Sequence, residues 1–149
     1  MLQSWTAEQA ARIIGIPYRT LRRWLADGLV SLRLHRHPVP RERLRLVQED
    51  VEELWAIASL RLQGVPMQRI KRILVRLAGM RLSDFKAVVV QGQDVIGVPF
   101  DARVPSSRLS DGQAVIPLEA LRKRLRDNPG EVLGEAWELM LRAEEASLV

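Results

Sequence analysis

The sequence of 149 residues contains no cysteine. This absence excludes disulfides, thiolate metal sites, iron–sulfur clusters and cysteine nucleophiles. Histidine is also scarce, because His35 and His37 are the only two in the chain. Their spacing lets both point to one face of a strand, but two ligands without a nearby acidic cluster make a poor metal site. We therefore expect no bound metal and interpret both histidines as surface residues.

Long apolar runs are absent as well. No stretch approaches the roughly 18 uninterrupted apolar residues of a membrane span. The opening segment MLQSWTAEQAARI also lacks the basic-then-apolar layout of a secretory signal, so we expect a cytoplasmic protein. The scattered carboxylates offer no nucleophile–base pair, and we expect neither enzymatic activity nor a cofactor.

Positive charge is abundant but unevenly distributed. Residues 1–81 contain 15 Lys and Arg against 7 Asp and Glu, whereas residues 82–149 contain 8 against 11. The net charge of +5 therefore combines a basic first half with a slightly acidic second half. The first half is the part that we expect to bind an anionic partner.

Two short helices joined by a tight turn are predicted near the N-terminus. Thr6 and Gln9 have the spacing of a capping box, and the apolar residues that follow recur at helical intervals. Gly15 suits the turn because glycine adopts positive φ without steric cost. Pro17 suits the start of the second helix.

The second helix, within YRTLRRWLADGLV, has two chemically different faces. Helical spacing places Leu21, Trp24 and Leu25 on one side. The opposite side carries Arg19, Arg22, Arg23 and Ala26. We expect the apolar side to pack, the arginine side to be exposed, and Gly28 to terminate the helix.

The apolar period changes to two between Leu29 and Val47, with HPVPRE interrupting the alternation. This pattern predicts a β-hairpin with one apolar and one basic face. Pro38 and Pro40 are expected to keep its tip out of the ladder. The arginines of this segment are Arg33, Arg36, Arg41, Arg43 and Arg45.

Two further helices are predicted in QEDVEELWAIASLRLQG and VPMQRIKRILVRLAG. In the first, the apolar stripe consists of Val51, Leu54, Trp55 and Ala58. In the second, the inward positions are Met67, Ile70, Leu74 and Leu77, and the outward positions are Arg69, Arg72 and Arg76. The sequence therefore predicts four helices and a hairpin in the N-terminal half.

The pattern becomes mixed beyond Arg81. FKAVVVQGQDVIGVPF predicts two strands around Gln91–Asp94, QAVIP a third strand, and LEALRKRLRD a helix. NPGE is expected to open a final helix. One face of that helix would carry Val132, Leu133, Ala136, Trp137 and Met140. This apolar stripe is wider than packing against the small β-rich C-terminal segment requires, so we expect homodimerisation through it.

The order of helix, tight turn, arginine-faced helix and basic hairpin is that of a winged helix-turn-helix. WTAEQAARIIGIPYRTLRRWLADGLV followed by EDVEELWAIASLRLQGVPMQRIKRIL resembles the DNA-binding domain of the MerR family of transcription regulators. We therefore predict a mainly α protein with a small β content. Residues 1–80 would form a MerR-like winged helix-turn-helix domain of four helices plus a β-hairpin wing, and residues 81–149 a small α+β accessory or dimerisation segment.

Two differences from the family are visible. The segment HRHPVPRERLRLV is longer than the usual hairpin and lacks the family's Gly-Tyr-Arg-Arg-Tyr stretch. Residues 81–149 also lack the long dimerising helix of the family, so its dimer geometry is not carried over.

The resemblance implies a transcription regulator that places its second helix in the major groove of duplex DNA and its basic wing on the phosphate backbone. The implied DNA-contact residues are Tyr18, Arg19, Thr20, Arg22, Arg23, Arg33, Arg36, Arg41, Arg43 and Arg45. An alternative is a protein-interaction role, as in an antitoxin or an excisionase-like phage accessory protein, with a protein partner bound by the C-terminal half.

Overall fold

The structure, a computed structural model, describes residues 2–35, 39–104, 112–136, 139–140 and 142–143. Its helices are α1 (Ala7–Ile14), α2 (Tyr18–Ala26), α3 (Gln48–Leu62), α4 (Met67–Leu77) and α5 (Leu118–Asp127). Its strands are β1 (Leu2–Ser4), β2 (Ala87–Gln91), β3 (Asp94–Val98), β4 (Gln113–Ile116) and β5 (Glu131–Leu133). Single 3-10 turns occur at Arg41–Arg43 and Leu82–Asp84. The predicted class, mainly helical with a small β content, is confirmed.

The chain divides into two compact units. Unit 1 comprises Met1–Val51 with Leu125–Val149, and unit 2 comprises Glu52–Arg124. The domain boundary predicted between residues 80 and 81 is based on composition and family resemblance, whereas these units are defined by compactness. The predicted boundary therefore stays a prediction.

The first two helices of unit 1 begin and end where the sequence predicts. The Thr6 hydroxyl accepts a hydrogen bond from the Gln9 amide at 3.1 Å, and the Gln9 side chain accepts one from the Thr6 amide at 2.9 Å. This reciprocal pair satisfies two amides that a helix start leaves without partners. Gly15, at a φ of 88°, ends α1, and Gly28, at 72°, follows the end of α2. Both glycines occupy the left-handed region that other residues avoid.

An unpredicted two-stranded sheet closes unit 1. β1 pairs antiparallel with β5, so that Leu2 lies opposite Leu133 and Ser4 opposite Glu131. The prediction that Val132 and Leu133 belong to the final helix is wrong, because pairing with β1 satisfies their backbone groups instead. Helical residues begin only at 135, and the described positions 135–136, 139–140 and 142–143 are helical.

The predicted β-hairpin of residues 29–47 is wrong in its secondary structure. Its described residues, 29–35 and 39–47, contain no strand; they form bends, one 3-10 turn and a single bridge. That bridge joins Leu46 to Trp5 through backbone hydrogen bonds of 2.8 and 2.9 Å. Pro40 has no amide to give to a ladder and precedes the 3-10 turn. We call residues 29–35 and 39–45 the wing loop.

Unit 2 is built around a three-stranded antiparallel sheet in the order β3-β2-β4. The strands follow the prediction, with a two-residue turn between Gln91 and Asp94. The buried surface of α3 is wider than the apolar stripe that the sequence predicts. Glu52 and Ser59 are buried together with its apolar residues. A helix enclosed on several sides is typical of the centre of a fold rather than of its surface.

Two polar side chains fasten the sheet to its neighbours within unit 2. Gln63 donates to the Val115 carbonyl at 2.7 Å and accepts from the Val115 amide at 2.9 Å, as a neighbouring strand would. Arg69 donates to the carbonyl oxygens of Gly92 and Gly112 at 2.7 to 2.9 Å. Arg69, predicted on the outward side of α4, is half-buried and has these structural partners, whereas Arg72 and Arg76 are exposed as expected.

Candidate nucleic-acid interface

The arginine face of α2 is exposed as its spacing predicts. Leu21 and Trp24 are buried on one side of the helix, while Arg19, Arg22 and Arg23 are exposed on the other. The buried side fixes the helix, so the guanidinium groups project from a rigid element. An exposed row of cations on a fixed helix is a surface suited to an anionic polymer.

Tyr18 joins α2 to the wing loop. It is half-buried in the first turn of the helix. The guanidinium of Arg22 lies 5.8 Å from the centre of its ring, and that of Arg41 lies 4.7 Å from it. Arg41 also forms an ion pair with Glu8 of α1. The ring of Tyr18 thus has cation–π contacts with one arginine of α2 and one arginine of the wing loop.

Asp50 anchors the beginning of the wing loop to the first turn of α3. This fully buried carboxylate accepts from Arg33 Nη1 at 2.8 Å and from the Val47 amide at 3.0 Å. Burial raises the pKa of Asp50, and the hydrogen bonds from Val47 and Arg33 oppose that shift. The Arg33 side chain, 42% exposed, therefore has a structural partner of its own.

The end of the wing loop is anchored by His35 and Arg45. His35 is buried, and its Nε2 accepts a hydrogen bond from the Arg45 amide at 3.1 Å. The prediction that His35 is a surface residue is wrong, because its ring is buried and accepts this backbone hydrogen bond. His37 lies outside the described residues. The Arg45 side chain is only 11% exposed and forms an ion pair of 2.8 Å with Glu131.

The predicted DNA-contact residues thus fall into different environments. The exposed ones are Arg19, Arg22, Arg23, Arg33, Arg41 and Arg43, and Tyr18 and Thr20 are half-buried. Arg33, Arg41 and Arg45 each form an ion pair with a carboxylate, and Arg36 lies outside the described residues. Sequence reasoning missed the residues that position this surface, namely Glu8, Asp50 and His35. Only Asp50 carries a local signal, because it stands three residues after Val47, which precedes α3, at the spacing from which a side chain can accept from that residue's amide.

Other kinds of site find little support in the described part of the chain. No group of three or more histidine, aspartate or glutamate side chains there is placed to hold a metal ion. No helix among those residues has both the length and the apolar character that a membrane crossing requires.

The comparison with known families agrees with this geometry. Residues 5–77 match the family described as MerR HTH family regulatory protein. The matched part runs from the bridge residue Trp5 to the last residue of α4, so it includes α1, α2, the wing loop and both following helices. No curated protein matches the chain.

Proposed function

We propose, from the premise that residues 5–77 are a MerR-type helix-turn-helix domain, that the protein is a sequence-specific regulator of transcription that binds duplex DNA. In this proposal α2 enters the major groove and the wing loop follows the phosphate backbone. The observation that carries it is the exposed row Arg19, Arg22 and Arg23 on a helix whose opposite side is buried. The activity is binding, without catalysis.

The side chains differ in the contacts that they can make. Each exposed arginine of α2 can donate two parallel hydrogen bonds to guanine O6 and N7, or hold a phosphate. Tyr18 and Thr20 carry hydroxyl groups suited to phosphate oxygens, and Arg41 and Arg43 supply charge from the wing loop. Arg36 keeps its predicted backbone role. Arg45 is left out of the proposed contacts because its side chain is nearly buried against Glu131.

Selection of bound duplexes from a random pool, followed by salt titration of the selected site, tests this function. We expect an enriched consensus and an affinity whose logarithm falls by roughly 0.9 per neutralised phosphate for each unit of log salt. Recovery of unenriched sequence, or affinity that is independent of salt, would contradict the proposal.

Homodimerisation is part of the same proposal. Leu139 and Met140, in the helical segment after β5, are exposed apolar side chains that a second copy could cover. Two-fold symmetry predicts that the selected consensus is palindromic. Sedimentation equilibrium at micromolar concentration should give twice the mass of the chain, and a strict monomer with an asymmetric consensus would contradict the dimer.

The second candidate function is a protein-interaction role of the antitoxin or excisionase-like kind. It is supported by Ile96 and Phe100 of unit 2, whose apolar side chains are about half exposed. Under this alternative, Ile96→Asp abolishes association with a protein partner and leaves duplex affinity unchanged. An enriched consensus and no Ile96-dependent complex would instead favour the transcription regulator.

A further inference from the structure

An open groove of about 690 Å³ lies between α2 and the wing loop, wholly within unit 1. Leu25, Val30 and Leu44 contribute apolar surface to it, and Tyr18, Arg22 and Arg41 contribute polar groups. Its volume falls within the roughly 300–1,000 Å³ typical of small-molecule sites. A groove of this size that joins an apolar surface to two guanidinium groups has the composition of a ligand site.

The wing-loop side of the groove is held in place by contacts that need no ligand. His35 lines the groove, and its Nε2 accepts from the Arg45 amide. The loop is further fixed by the Arg33–Asp50 pair and by the bridge between Leu46 and Trp5. The groove is therefore preformed, as small-molecule sites usually are.

The charge of the groove selects the ligand. Arg22 and Arg41 both lie near the Tyr18 ring, at 5.8 and 4.7 Å from its centre. Among the described residues that line the groove there is no aspartate or glutamate. Arg41 is paired with Glu8, which lies outside the groove lining, whereas no carboxylate among the described residues pairs with the Arg22 guanidinium. An anion is favoured over a neutral or cationic ligand.

The apolar surface narrows the choice further. A bare inorganic anion would leave the half-buried Leu25 and Leu44 in contact with water. Covering their exposed apolar surface contributes roughly 25 cal/mol for each Å² removed from water. A neutral apolar ligand would cover these side chains but gain nothing from the guanidinium groups. Only a molecule with both an anionic head and an apolar body uses the whole groove.

We propose that this groove binds a small organic carboxylate with an aromatic or branched apolar body. Its carboxylate lies between Arg22 and Arg41, and its body lies on Leu25, Val30 and Leu44. Because Tyr18 and Arg22 are also proposed duplex contacts, the ligand and DNA exclude each other. This exclusion rests on the proposed function, whereas the ligand site itself does not.

Calorimetric titration of the full chain with benzoate tests the site without DNA. Benzamide has nearly the same shape without the charge, and sodium chloride at equal ionic strength controls for screening. We expect benzoate to bind with a millimolar or lower Kd, and benzamide to bind at least about tenfold more weakly. No benzoate binding at about 10 mM, or equal binding of benzamide, would overturn the site.

Matched variants locate the binding. Arg41→Gln and Arg22→Gln should each weaken benzoate binding by about tenfold or more. Arg43→Gln removes the same charge from the same 3-10 turn outside the groove lining, and its benzoate affinity should stay within about twofold. Circular dichroism confirms that each variant is folded. Undiminished benzoate binding by both folded groove variants would overturn the assignment.

Competition separates the site from its regulatory consequence. Benzoate at ten times its own Kd should raise the apparent Kd for the selected duplex about elevenfold, because each ligand binds only the free protein. Benzoate binding with unchanged duplex affinity would overturn mutual exclusion and leave the site intact. A protein that binds no duplex at all contradicts the proposed function, and the calorimetric titration still decides the site.

Discussion

The arginines of α2 and those of the wing loop are used differently. Arg19, Arg22 and Arg23 of α2 are exposed, and within the described chain no carboxylate pairs with them. In the wing loop, Arg33, Arg41 and Arg45 pair with Asp50, Glu8 and Glu131. α2 is fixed by its own backbone hydrogen bonds and its buried side, whereas the loop needs side-chain pairs to hold its shape. A cluster of arginines in the sequence is therefore not in itself a binding surface.

The largest effect is expected from the α2 arginines, where charge is free to contact DNA. The double variant Arg22→Ala/Arg23→Ala should weaken binding of the selected duplex by about 100-fold or more, since each lost contact to a base is worth roughly 1–3 kcal/mol. The thermal unfolding midpoint should not fall, because both side chains are exposed. Fluorescence anisotropy and differential scanning calorimetry measure the two quantities.

The exposed Arg126 of α5 supplies the control for that experiment. Arg126→Ala removes one positive charge from unit 1 outside the proposed interface, and duplex affinity should change by less than about threefold. If Arg126→Ala lowered duplex affinity as much per charge removed as the α2 variant does, the binding would depend only on net charge. The distinction between α2 and the rest of the surface would then be contradicted.

The next effect concerns the stability of the wing loop. Asp50→Ala removes the acceptor for both Arg33 and the Val47 amide, and it should lower the free energy of unfolding by about 1–3 kcal/mol. Glu49→Ala, at an exposed position in the same helical turn, is the matched control and should cost less than about 1 kcal/mol. Urea denaturation measures both, and equal effects would show that Asp50 acts only on the helix dipole.

Local patterns predict much of this fold. The capping box predicted α1, helical spacing predicted α2 and α5, and the pattern around Gln91–Asp94 predicted the β2–β3 pair. β1 and β5 escaped prediction because three residues are too few to show alternation and their pairing spans most of the chain. The strand prediction for the wing loop is wrong because alternation of apolar residues does not show whether a segment has a partner strand, and the bridge from Leu46 goes to Trp5.

The candidate site divides in the same way. Which arginines of α2 are exposed follows from 3.6-residue periodicity, so the sequence is sufficient. Whether a wing-loop arginine is available depends on Glu8 and Glu131, which are far from it in the chain. The hydrogen-bond partner of the buried His35 is likewise a backbone amide ten residues away. Long-range partners of this kind leave no periodic signal.

Arg45 is a predicted DNA-contact residue, but its side chain is nearly buried and paired with Glu131. It therefore tests whether an arginine with a structural partner also contributes to DNA binding. Arg45→Ala should lower the free energy of unfolding by about 1 kcal/mol, through the lost ion pair and the lost packing of its stem. Duplex affinity should change by less than about threefold. A large loss of affinity with unchanged stability would return Arg45 to the interface and show that nearly buried arginines contribute directly to binding.

The smallest effect is a pH dependence of the Asp50 anchor. Burial raises the pKa of Asp50, so the folded state holds this proton more tightly than the unfolded state does. The stabilising contribution of protonated Asp50 is fully present below the pKa of Asp50 in the unfolded state, about 3.9. It is lost as pH rises through the pKa of Asp50 in the folded state. Asp50→Asn keeps an acceptor for the Val47 amide but does not titrate. The free energy of unfolding of the wild type minus that of Asp50→Asn should therefore decrease as pH rises from about 3.5. Urea denaturation at a series of pH values measures this difference. If the difference increased with pH instead, the ion pair with Arg33 would outweigh the desolvation of Asp50. The wing loop would then be anchored mainly by charge.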